Sequence, residues 1–338
     1  MQIFFPGPQH ILALFLSCIP FILNAENLGS DLLGDNARWS VDASARLNRN
    51  TDTQHNAFTY VLGLDVHKVF SHKNRDIGTL MFQPYLVSLN NASSVPFFFD
   101  DGDDTQLTWR ITNFNFTALA QGRLNIKLGH FEIPYGLEYQ EDTNGTLRQF
   151  TFGDRGIKAD WGMSVNGILP YLEYEIALTR GSGNELTSSH NPHIFSGRIG
   201  SPSQKNITAG FSWFYGDVLT GSGTTEHKKL GVDASYFYYQ WQFMFESSIG
   251  QKAGNDTQNS FAEIAWIGAK EQFKSYMQLG YQNIKQMNQK DSASYWVVGM
   301  QWQNAYGFDI SAQFKHKLNA APTLNIEPDL SIQMRYRL

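Results

Sequence analysis

The chain has 338 residues, with 17% of them charged, 14% aromatic, 29 glycines and a formal net charge of −5. So low a charge content, against the usual quarter, and so mild an imbalance exclude a polyanionic tail and give no footing for a nucleic-acid partner. One cysteine, Cys18, excludes a disulfide framework.

The first feature along the chain is the apolar run ILALFLSCIPFIL (11–23), followed by Asn24-Ala25-Glu26. It is too short to cross a bilayer, which takes about 20 residues, but suits the core of an export signal. We expect residues 1–25 to be a signal peptide cleaved after Ala25, and residues 26–36 to form a short periplasmic lead. Cys18 would leave with the signal, and so short a lead could not form a plug domain. After residue 25 no apolar stretch reaches helix-spanning length, so any membrane crossing must be made by strands.

From residue 37 a two-residue rhythm recurs. RWSVDASARLN (38–48) places Trp39, Val41, Ala43, Ala45 and Leu47 on one face, with Arg38, Ser40, Asp42, Ser44 and Arg46 on the other. GRLNIKLG (122–129), LPYLEYEIALT (169–179), YWVVGMQWQ (295–303) and DISAQFKHK (309–317) repeat it. The pattern predicts about sixteen strands, beginning near 37, 57, 77, 106, 122, 157, 169, 194, 206, 229, 240, 260, 274, 294, 306 and 328. Strands of roughly ten residues suit a tilted bilayer crossing. The connections between them alternate in length. NNASSVPFFFDDGDDT, FEIPYGLEYQEDTNGTLRQFTFGDRG and GDVLTGSGTTEHK are long, whereas LAQ, NGI and YYQ are tight. Long outer loops and short inner turns are the connectivity of an outer-membrane barrel.

The fold class predicted is therefore all-β, a transmembrane antiparallel β-barrel over residues 37–338. Its apolar face should meet lipid and its charged face should enclose water, with Trp39, Tyr85, Trp109, Trp161, Trp213 and Trp302 forming interfacial girdles. The final segment LSIQMRYRL (330–338) alternates to its last residue, as expected of a strand that pairs with the first to close the barrel. It is similar to the C-terminal signal of bacterial outer-membrane proteins, with Leu338 in place of the usual Phe.

One segment carries a closer likeness. GHFEIPYGLE (129–138) resembles the Gly-x-Phe-x-x-Pro-Phe/Tyr-Gly-Leu-Glu segment of the phosphate-selective porin O and P group of Gram-negative outer-membrane porins. Gly129, Pro134 and Gly136 also have a plain meaning, since they break a strand and set a turn. The resemblance implies a porin-like channel for passive diffusion of small hydrophilic or charged solutes. In general porins the corresponding third outer loop folds inward, so residues 131–156 are expected to narrow the pore with Glu132, Glu138, Glu141, Asp142, Arg148 and Arg155. Opposed charges there would set a transverse field. The arginine ladder and lysines of the phosphate-selective members do not map onto this chain, so phosphate selectivity is not carried over.

The residues also suggest a basic lumen wall of Arg38, Arg46, Arg123, Lys127, Lys315, Lys317, Arg335 and Arg337, facing Glu173, Glu175 and Glu246. In that picture Arg335 and Arg337 lie near Arg38, and Lys315 and Lys317 lie near Arg46. FDDGDD (99–104) reads as a solvated acidic tip, lacking the spacing of a calcium loop. Gly-Ser-Gly within GDVLTGSGTT (216–225) lacks nucleophile-elbow spacing, and His190 and His193 have no carboxylate at metal-ligand spacing. No catalytic residues, metal or cofactor are therefore assigned, and the chain is not read as an enzyme. The implied partners are outer-membrane lipid and lipopolysaccharide, small solutes or ions and, by resemblance, two further copies in a homotrimer. A non-channel barrel serving binding, adhesion or assembly, and an outer-membrane hydrolase, are the alternatives.

Overall fold

Alternating residues on a polar backbone force the chain into extended ladders, and the ladders close on themselves. The computed structural model describes residues 36–73, 75–90, 105–150, 154–186, 190–220, 223–286, 289–321, 324 and 326–338. The expected signal peptide with Cys18, all but the last residue of the lead, and the acidic tip at 99–104 lie outside the described residues. The described residues form sixteen strands: β1 (Ala37–Asn50), β2 (Asn56–His72), β3 (Arg75–Asn90), β4 (Thr105–Phe116), β5 (Asn125–Glu132), β6 (Ala159–Ile168), β7 (Glu173–Thr179) and β8 (His193–Gly200), followed by β9 (Ile207–Thr220), β10 (Gly223–Tyr238), β11 (Trp241–Lys252), β12 (Asn255–Gly268), β13 (Phe273–Gln286), β14 (Gln289–Gln303), β15 (Phe308–Ala320) and β16 (Asp329–Arg337). Each pairs antiparallel with the next, and β16 pairs with β1 from Asp42↔Arg337 to Asn50↔Asp329, closing the barrel. Closure gives every strand a neighbour on both sides, which is what a strand structure in lipid requires.

The two faces are inverted relative to a water-soluble barrel. On β10, Leu230, Val232 and Tyr236 point outward and are exposed, while His227, Lys229, Asp233 and Ser235 point inward and are buried. On β11, Trp241, Phe243, Phe245 and Ile249 are outside, and Gln242, Glu246 and Ser248 inside. β16 keeps the rhythm, with Leu330, Ile332 and Met334 exposed and Ser331, Gln333 and Arg335 buried. Apolar outside and polar inside is the arrangement of a transmembrane barrel.

Some local features depart from the simple pattern. The expectation that Tyr85 belongs to an outer girdle is incorrect. Where the ladder between β3 and β4 shifts register, Gln83 faces Ile111 and Pro84 faces Trp109, so the extra residue is Arg110 of β4, whereas β3 keeps its rhythm: with Gln83, Val87 and Leu89, Tyr85 lies buried in the lumen. Its hydroxyl donates to Asp65 at 2.8 Å, reaches Asp42 at 3.0 Å and accepts from Arg110 at 2.9 Å. The segment 216–228, expected as a loop, is instead mostly ladder. β9 and β10 stay paired up to Thr220↔Gly223.

β5 is short because it leaves the wall. β4 pairs with it only over Thr112–Phe116, so the backbone of β4 above Thr112 lacks a strand on that side. Asn184, from the β7–β8 connection, takes the place of a strand there. Its side-chain oxygen accepts from the Trp109 N–H at 2.8 Å, its amide nitrogen donates to the Leu107 carbonyl at 3.4 Å, and its own carbonyl accepts from Trp161 Nε1 at 3.2 Å. The neighbouring turn is fixed by the buried Asp160 carboxylate, which accepts the N–H groups of Gly181, Ser182 (3.2 Å) and Gly183 (3.0 Å).

Candidate functional site

Pro134 and Gly136 end the ladder after β5 and turn the chain into the barrel. Gly136 has φ 62°, and a Cβ there would meet the Glu246 carboxylate at 2.2 Å, so the backbone lies against the wall where a side chain would not fit. A single 3-10 turn, Leu137–Tyr139, follows. The Leu137 N–H donates to Glu246 Oε2 at 2.7 Å and the Gly136 N–H to Ser212 Oγ at 3.0 Å. Two apolar contacts fix the loop, 133–158, from inside. Ile133, Tyr135 and Ile157 pack on Ile194, Phe214 and Val218 of β8 and β9. Leu137 and Phe150 pack on Met244 and Phe261 of β11 and β12. The loop therefore crosses the lumen.

The six charged residues singled out in the sequence lie as follows. Glu138 is buried and pairs with Arg155 at 3.1 Å and Lys158 at 3.4 Å. Arg155 also approaches Glu246 at 3.7 Å and lies 4.8 Å over the Tyr135 ring. Arg148 pairs with Glu263 at 2.6 Å and Glu141 at 3.4 Å, and covers Phe150. Glu132 faces Lys158 at 3.9 Å and accepts from the Asn144 side chain. Asp142 pairs with Arg110 at 3.1 Å. Every one of the six has an opposite charge as neighbour. Buried pairs of this kind fix position more than they add stability, because desolvation offsets most of the attraction. Burial within the lumen pushes the Asp142 carboxyl up, but Arg110 and the Asn144 N–H outweigh it and hold it below the usual carboxylate range. Burial, with Glu175 beside it, holds the Tyr139 phenol well above its ordinary value.

The eight basic residues are spread out rather than gathered into one wall. β1 extends beyond the end of β16, so Arg38 sits opposite His67 of β2 instead of beside Arg335 and Arg337. Arg123 is exposed near an inner turn. Lys317 reaches Asp52 at 2.6 Å at the outer end, and Lys315 lies at the level of Asp329, over the Tyr295 ring, so neither accompanies Arg46. Lys127 pairs with Glu175 at 2.8 Å. Arg335 pairs with Asp42, and Arg337 pairs with Asp65 at 2.5 Å. Of the expected acidic partners, Glu173 lies 3.4 Å from Arg198.

The sequence does not single out Arg110, Asp65, Lys158, Glu263 and Lys229, and it places Asp42 only on the polar face of its strand. Lys229 donates to Asp154 of the loop at 2.5 Å. Their signal was inward parity alone, which they share with many serines and glutamines. Which of them meet depends on strand stagger, and the rhythm does not encode that.

A closed sixteen-strand barrel with an apolar exterior, a charged interior and a third outer connection folded through it defines the outer-membrane porin fold. Known structures agree. OmpF of Salmonella typhi, in complex with daunomycin, superposes with TM-score 0.66 at 11% identity over 89% of this chain and 97% of that one. The anion-selective porin from Comamonas acidovorans gives 0.64 at 9% over 89% and 99%. The trimer form of OmpT, an outer-membrane protein of Vibrio cholerae, gives 0.62 at 9% over 89% and 99%. No protein-family model matches the chain, and no curated protein matches its sequence.

Proposed function

We propose that this chain is a porin-like channel of a bacterial outer membrane, admitting small hydrophilic or charged solutes by passive diffusion. The observation that carries this reading is the lumen itself, a polar interior enclosed by sixteen paired strands and crossed by one loop. Barrels of this strand number are wide enough for an aqueous passage. The segment Gly129–Glu138 supports a place near the porin O and P group, since it lies where β5 turns inward. Residues Glu132, Glu138, Glu141, Asp142, Arg148 and Arg155 would border the narrowest part. Only Asp142, whose side chain is 64% exposed, presents a largely open carboxylate there. A homotrimer is the assembly we favour, because the low side of the barrel, made of the short strands β5 to β8, leaves Leu128, Met163 and Leu178 exposed. Chemical cross-linking of the purified protein tests that assembly.

Planar-bilayer recording tests the channel. The purified protein should give discrete current steps. Absence of steps both in the native chain and in one whose lumen loop has been shortened by removal of residues 142–146 would overturn the reading.

A further inference from the structure

The two flanks of the lumen loop are held by apolar packing, but its tip is not. Residues 142–146 (Asp-Thr-Asn-Gly-Thr) touch β1, β4 and β16 through polar atoms. Arg110 Nη2 donates to Asp142 Oδ1 at 3.1 Å and to the Asn144 carbonyl at 3.4 Å. Arg335 Nη1 donates to the same carbonyl at 3.3 Å. Arg46 Nη2 donates to the Thr146 carbonyl at 3.1 Å, and Gln333 Nε2 to the Gly145 carbonyl at 2.7 Å. One carboxylate and two peptide oxygens thus converge on three guanidiniums, and a third peptide oxygen meets the Gln333 amide. Gly145 has φ 70°, and a Cβ on it would lie 3.0 Å from the Arg335 guanidinium, so the tip is seated against that arginine as closely as backbone allows.

The guanidiniums are held in place without the tip. Asp42 pairs with Arg335 and lies 3.8 Å from Arg110, the Tyr85 hydroxyl accepts from Arg110, and Arg46 Nε donates to Gln333 Oε1 at 2.9 Å. Arg46 has no carboxylate within ion-pair distance among the described residues. Within ion-pair distance the three positive charges meet the carboxylate of Asp42 and, with the tip docked, that of Asp142; Asp65, Asp309 and Asp329 act on them only from further away.

We propose that Arg46, Arg110 and Arg335 form a binding site for a small dicarboxylate, which the chain's own loop tip occupies in the absence of solute. A dicarboxylate supplies the same class of oxygens as the tip, one carboxylate in place of Asp142 and a second in place of the peptide oxygens that Arg335 and Arg46 hold. Its arrival displaces the tip from β1 and β16 and widens the passage there, so binding and opening are one event. This rests on the channel reading above.

The test uses the full purified chain, with succinate as probe at constant ionic strength. In planar bilayers the native conductance should rise saturably with succinate. Asp142→Asn and Gly145→Ala should each conduct at the raised level without it. In calorimetry both variants should bind succinate several-fold more tightly than the native chain, because the internal competitor is unseated. Gly145→Ala changes no charge, so its tightening separates competition from a mere change of field. Arg110→Gln should bind at least tenfold more weakly. Current steps that persist but are insensitive to, or blocked by, succinate, or unchanged affinity in Gly145→Ala, would overturn the inference and leave the channel reading standing. No steps in any of these variants would remove the channel reading itself.

Discussion

At the scale of single residues, the lumen is a place where charge is used for attachment. Arg148 is buried, as is Glu263, whose carboxylate also accepts from Gln278 at 2.7 Å. Arg148→Met would strand that carboxylate without its cation, a change that typically costs about 3–5 kcal/mol, whereas replacing both partners by apolar residues is far better tolerated. The folded form of Arg148→Met should therefore melt well below the native protein in detergent, and Arg148→Met/Glu263→Leu should recover most of the difference. Equal melting of the two variants would show that the pair does not anchor the loop. Asp142 behaves differently, because its carboxyl is held below the usual range by Arg110. A carboxylate with a depressed value contributes its contact fully above the unfolded value of about 4 and loses it as pH falls through the lower folded value. The contribution of Asp142 to ion selectivity should thus persist from pH 7 to 5 and be lost only below about pH 4, so the difference between the native chain and Asp142→Asn should vanish there. Reversal potentials across a pH series measure it.

Among elements, the β7–β8 connection matters beyond its length. Asn184 closes the seam that β5 leaves in the wall, its amide pairing with the Leu107 carbonyl and the Trp109 N–H as a strand residue would. Asn184→Leu keeps similar bulk but strands both backbone groups beside lipid, at about 1–3 kcal/mol for each unsatisfied group. The variant should refold from urea into detergent with a lower midpoint, and an unchanged midpoint would mean that something else satisfies that edge. The seam also shows what the sequence could reveal. All sixteen strands announce themselves through alternation, because lipid on one side and water on the other impose it. Above the lipid both faces meet water and alternation lapses, although the ladder continues. Hence 216–228 reads as a loop and yet stays paired from Asp217↔Glu226 to Thr220↔Gly223. Tyr85 misleads for another reason: it shares its inward face with Gln83, Val87 and Leu89, so this strand turns apolar residues into the lumen and residue type alone points the wrong way. The loop tip's meeting with Arg110 and Arg335 was out of reach, since it joins residues 32 apart with others 191 apart.

For the whole molecule, one physical condition governs the rest: the outer surface must be free of charge over the thickness of the hydrocarbon. β10 displays the limit along a single strand. Its outward residues run from Glu226 and Lys228, which pair at 2.8 Å, through Leu230 and Val232 to Tyr236 near the inner turn. Charge is thus present on the outer face only toward the outer end, and aromatic rings appear at the other, where Tyr236, Tyr238 and Trp241 are exposed. Val232 lies between these limits, half exposed and flanked by Phe211 of β9 and Ser247 of β11. An arginine at the bilayer midplane of such a barrel costs about 2–4 kcal/mol, falling to about 0–1 near the interfaces. Val232→Arg should therefore assemble poorly into bilayers, while Thr224→Arg, further up the same face, should assemble as the native chain does. The yield of folded, heat-modifiable barrel after dilution into liposomes reads both. In thinner bilayers the Val232→Arg defect should shrink, because its guanidinium has less distance to reach water. Equal yields for the two variants at every thickness would show that this face does not lie against hydrocarbon, and the orientation of the barrel would have to be reversed.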